Sequence, residues 1–206
     1  MHYWRKDYFE TLKAAANEAD ATPAWTEYAS FCRDHELGLR KQALKSLDLF
    51  IADMERRPFS ERRQFVSWLC ARTDRHWGNS ILRPYPLRIR IVEPTLAEWT
   101  VEEPTNSEPH RWIGGYEHLC HAIELDPNDQ IARRKLTICV LSRIDNNAHH
   151  LPIGYLGVPH EDLGALNEAE GLLVKLSNSE DRGALLSDIM ELRSAINGYL
   201  AAREQG

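Results

Sequence analysis

The stretch that most restricts the fold is WIGGYEHLCHAIELDPNDQIARRKL, residues 112–136, with Asp126-Pro127-Asn128-Asp129 near its middle. Leu119, Ala122 and Ile123 lie three and four residues apart, which places them on one helical face, and Leu125 closes that helix. Pro127 has no amide hydrogen to continue the ladder, while Asn128 or Asp129 can accept the orphan amides of a following helix. The spacing therefore predicts one amphipathic helix, a turn and a second helix. Gly114-Gly115 falls inside the first of these, where two missing side chains would let a neighbouring helix approach closely.

The same periodicity runs through most of the chain. Helices are predicted over 3–17 (Trp4, Tyr8, Leu12 and Ala15 inward), from Trp25 through His35, over 39–57 and from Pro58 to about Asp74. His76-Trp77-Gly78-Asn79-Ser80 reads as a turn. Residues 87–92, LRIRIV, alternate like a strand, yet no second alternating run exists to pair with them. Tyr85, Ile89, Val92, Leu96 and Trp99 instead follow a helical stripe through Pro94, so a helix kinked or restarted there is expected. Pro104 and Pro127 stand 23 apart, which leaves room for one helix rather than a hairpin. Residues 130–144 are apolar on nearly all sides, as central helices are. A loop is expected over 145–160, then a helical hairpin whose last member carries Leu185, Ile189, Leu192, Ile196 and Tyr199 on one stripe.

Charge and cysteine usage narrow the function classes. Residues 1–103 hold 16 basic and 16 acidic side chains, and residues 104–206 hold 9 and 15, so the second half carries the whole net charge of −6. An acidic half favours basic partners and works against phosphate backbones, so nucleic acid is not expected as a partner. No apolar run is long enough to cross a bilayer, and residues 1–7 lack the apolar centre of a signal peptide. Cys32, Cys70, Cys120 and Cys139 form no CxxC pair and read as reduced core residues. A cytoplasmic protein with no membrane contact is the expectation.

The block Ala122-Ile123-Glu124-Leu125-Asp126-Pro127-Asn128 resembles the end of a tetratricopeptide repeat, whose second helix passes through Ala-x-x-Leu-Asp-Pro-Asn into the next repeat. Gly38, Ala43 and Leu47 fit the same pattern more loosely. The resemblance implies an all-α fold of irregular antiparallel helical hairpins. It would form a right-handed solenoid of about eight or nine helices, in a single domain over 1–206 with a sub-division near 76–86 as the alternative. It also implies that the first helix of a hairpin lines a peptide-binding surface. On this chain that surface would include Ile131, Arg134, Ile138 and Leu141.

Catalytic signatures are missing: no HExxH, GxSxG, P-loop or GxGxxG occurs, and no cofactor is expected. His118 and His121, one helical turn apart, are the pair that could share a metal, although exposed histidines on an amphipathic helix are the plainer reading. Asp145, His149, His150, Tyr155 and His160 in the 145–162 loop form the candidate ligand set. The competing role for the two adjacent histidines is to cap the preceding helix. Glu168 and Glu170 on the acidic hairpin are candidates for meeting a basic partner. Together these features point to a non-catalytic helical scaffold that binds another protein, a basic one, or a second copy of itself. The rival is a small metal- or ligand-binding protein or enzyme using the loop.

Overall fold

A computed structural model describes residues 6–74 and 81–204, and among them every regular element is helical. The segment 76–80 and Trp4 lie outside the described residues. No described helix is long and apolar enough to cross a membrane. The chain gathers into two compact units, Met1–Pro104 and Thr105–Gly206.

In the first unit α1 (Lys6–Ala19), α2 (Thr26–Glu36) and α3 (Arg40–Met54) pack consecutively, followed by α4 (Phe59–Thr73). The core is aromatic. Phe65 lies 5.1 Å from Tyr28 and 4.7 Å from Phe50 between ring centroids. Such contacts add to area burial through edge-to-face and offset quadrupole attraction. Tyr28 is fully buried and donates its hydroxyl hydrogen to the Leu82 carbonyl at 2.6 Å, which satisfies its one polar atom. Burial pushes the Cys32 thiol up to about 12, so it stays protonated as a core side chain.

The ambiguous segment is helical. α5 (Tyr85–Leu87), a π-helical turn (Arg88–Val92) and α6 (Glu93–Glu102) run on without a break. Pro94 cannot donate to the Arg90 carbonyl, and the wider turn just before it lets the Glu93 amide reach back five residues to Arg88. This corrects the expected stripe. The wide turn rotates the residues before it, so Leu87 and Ile91 are buried while Tyr85 and Ile89 are 65% and 39% exposed.

The second unit holds α7 (Ser107–Ile113), α8 (Tyr116–Leu125), α9 (Gln130–Ala148), α10 (Pro159–Val174) and α11 (Ser179–Glu204). Two expectations are corrected here. Gly114-Gly115 does not sit inside a helix: at φ 75° and 76° it separates α7 from α8. Nothing lies within 4 Å of where a Cβ would stand on either glycine, so backbone conformation, not close helix approach, is what requires them. Consequently a hairpin, not a single helix, spans the interval from Pro104 to Pro127. With residues 85–102 counted once, the described residues form ten helices, one beyond the expected eight or nine.

The predicted capping turn is in place. Asp129 accepts the Ala132 amide at 2.9 Å, and its buried carboxylate also takes Arg111 Nη1 at 3.0 Å. α9 is central, packing against α7, α8, α10 and α11, with Leu136, Val140 and Ile144 in the core shared with Leu166, Leu173 and Ile189.

Candidate functional site

α9 does not stop at Ile144; it continues to Ala148, so Asp145 is helical and the loop is shorter than expected. Asp162, near the start of α10, explains the extra turn. Its carboxylate is only 3% exposed, and it accepts Tyr155 Oη at 2.7 Å and Asn147 Nδ2 at 2.8 Å, with Arg143 Nη2 at 3.2 Å. Asn147 reaches it from the last turn of α9. Burial, and then the Asp162 carboxylate, raise the Tyr155 phenol well above its ordinary range. A buried carboxylate engaged by three donors, one of them a phenol held protonated, joins α9, the loop and α10; this cluster is a lock.

The lock fixes the loop 149–158. The Leu151 amide donates to the Ala148 carbonyl at 2.9 Å and the Leu156 amide to Asn147 at 3.0 Å, so the backbone itself caps the end of α9. His149 and His150 pack edge-on at 5.4 Å, and among the described residues neither side chain makes a hydrogen bond. The capping role is therefore not theirs. Of the five residues in the expected ligand set, Asp145 alone lines the cleft described next; Tyr155 turns to Asp162, and His160 is exposed in the first turn of α10.

That cleft lies between α9 and α11. At one end Gln130 clamps the Lys175 carbonyl and the Ser177 amide at 3.1 and 2.8 Å, and Arg134 approaches Asp181 at 3.9 Å. Toward higher numbers on both helices, which therefore run parallel, a cleft of about 440 Å³ opens. Leu141, Leu151 and Leu192 supply its apolar surface, and Asp145, Asp188 and Glu191 its charge. Ala148 and Ala195 leave the space that larger side chains would fill. None of the three carboxylates forms an ion pair or hydrogen bond among the described residues. The nearby cations are engaged elsewhere, Arg143 with Asp162 and Arg193 with Glu170 at 2.7 Å.

The stripe implied by the repeat resemblance leads into this cleft. Arg134 is held by Asp181, Ile131 and Ile138 are half-buried, and Leu141 lines the cleft itself. Glu170 is already paired with Arg193, whereas Glu168 is exposed.

A second cluster surrounds the other histidine pair. Because the glycine break folds α7 back on α8, buried His110 brings its Nδ1 to 3.0 Å from His118 Nδ1, with the His121 ring edge-on at 4.5 Å. Burial first, then His121 and His118, hold the His110 imidazole below its ordinary range. His121 Nδ1 sits 3.1 Å from Glu124. Among the described residues no group of three or more His, Cys, Asp or Glu side chains is arranged to hold a metal ion. Sequence spacing missed His110, since only the hairpin places it there.

No protein-family model, no curated protein and no solved structure matches this chain.

Proposed function

We propose that the chain is a non-catalytic, tetratricopeptide-like interaction module of the cytoplasm whose second unit binds a basic segment of another protein in the α9/α11 cleft. The hairpins α7–α8 and α9–α10, followed by α11, support the repeat reading. So does the parallel course of α9 and α11, the relation that first helices of successive repeats would have. One observation carries the ligand class: three unpaired carboxylates around a leucine surface. Lysine and arginine match it twice over, with a cationic head for the carboxylates and an alkyl stem for the leucines. Each exposed pair contributes roughly 0.2–1 kcal/mol, so affinity comes from several pairs together and weakens with salt.

The test uses fluorescently labelled Lys/Arg-containing peptides and the full chain. Binding should weaken as salt is raised, and Asp188→Lys with Glu191→Lys should reduce it by about tenfold. Equal affinity for basic and neutral peptides, or no effect of the double charge reversal, would remove the proposal.

A further inference from the structure

We infer that the loop 149–158 supplies the apolar half of the same site, so that the partner segment carries a large apolar side chain beside its cations. This rests on the reading of the cleft as a binding site. Two contacts place the loop beside α11 and the cleft. Leu151 lines it, and the Tyr155 ring stacks on Tyr199 of α11 at 6.0 Å, one helical turn past Ala195. On this loop Ile153 is 96% exposed, Leu156 64% and Val158 51%. Single exposed apolar residues are ordinary, but three within six positions concentrate exposed apolar surface on one short loop, and surface of this kind is what contact sites use.

The loop is held in this conformation by bonds along its length. Its backbone is tied at Leu151, Ile153, Gly154 and Leu156, and its middle is tied by Tyr155 to Asp162. Gly157 packs so tightly that a Cβ there would meet Asn147 Nδ2 at 2.5 Å. These side chains are therefore open to an outside occupant. The carboxylates of the adjoining cleft select among occupants: an anionic lipid surface or a nucleic acid would meet like charge, whereas an amphipathic basic segment meets complementary surfaces on both halves.

The experiment compares three labelled peptides of equal length on the full chain: one with Lys/Arg and interspersed Leu, one with the Leu replaced by Ser, and one with the Lys/Arg replaced by Ser. Two variants are measured with them, Ile153→Ser/Leu156→Ser and Asp188→Lys/Glu191→Lys. Both pairs are exposed, and thermal melts verify that folding is retained. The mixed peptide should bind tightest, and the loop variant should weaken it by about tenfold, to the level of the Leu-free peptide, whose own binding stays unchanged. Equal binding of the mixed and Leu-free peptides, or no effect of the loop variant, would sink the inference while basic binding still upheld the cleft. Loss of binding by every basic peptide sinks both. A dimer in light scattering that the loop variant abolishes, with no change in peptide affinity, would assign the patch to a second copy and overturn the inference as well.

Discussion

Tyr155 donates its hydroxyl hydrogen to Asp162 at 2.7 Å, and this bond ties the middle of a ten-residue loop to the first turn of the helix that follows it. A hydrogen bond to a charged acceptor contributes about 1.5–3 kcal/mol. Tyr155→Phe keeps the ring on Tyr199 and removes only that bond, so urea unfolding should show a loss at the low end of this range. Asp162→Ala should cost more, because Arg143, Asn147 and Tyr155 all lose their acceptor. A Tyr155→Phe variant as stable as wild type would show that the Tyr155–Asp162 bond adds nothing to what the backbone bonds and the ring contact with Tyr199 already hold.

Two glycines give a matched comparison. At Gly157 an added Cβ would stand 2.5 Å from Asn147 Nδ2 and 2.9 Å from Asp162 Oδ2, while at Gly164, inside α10, it would meet nothing within 4 Å. Gly157→Ala should destabilise by about 1–3 kcal/mol through overpacking of the lock. Gly164→Ala should stabilise by roughly 0.5–1 kcal/mol through helix propensity. Thermal melts moving in opposite directions are the expected result; a shift of the same sign in both would contradict the packing around Asp162.

Helix content, the capping turn at Asp129 and the stripe from Leu185 to Ile196 were legible because each rests on local spacing or local chemistry. Three features were not. The π-helical turn ahead of Pro94 changes the register by a choice among backbone patterns that residue spacing does not encode. Asn146-Asn147 reads as a loop, yet the helix continues because Asn147 is bonded to a residue fifteen positions away. Asp145 was legible as a candidate, but Asp188 and Glu191, its companions in the cleft, sit on a different helix, and only packing brings them together.

Acid should loosen the second unit through His110. Burial, with His121 and His118 beside it, lowers the His110 pKa in the folded state. The unfolded chain therefore binds more protons, and folding stability falls as pH drops from about 6.5 through the depressed folded value. Urea midpoints taken at stepped pH should fall across this window in the wild type. His110→Gln, which cannot take up a proton, should flatten that limb while costing some stability at neutral pH. Identical slopes for the two proteins would dissociate the imidazole cluster from the acid response.

The hairpin between Pro104 and Pro127 depends on the two glycines more than on any contact they make. Gly114 at φ 75°, ψ −164° and Gly115 at φ 76°, ψ 160° occupy a region closed to residues with a Cβ. Yet the space around both is open. Substitution by alanine therefore isolates a backbone cost, about 1–3 kcal/mol at each position, with no clash to confuse it. D-alanine, introduced by semisynthesis, accepts positive φ and should recover most of the loss. If L-alanine at both positions left the urea midpoint unchanged, α7 and α8 would not be separated by this turn. His110 would then have no reason to meet His118, so the acid response should vanish in the same protein.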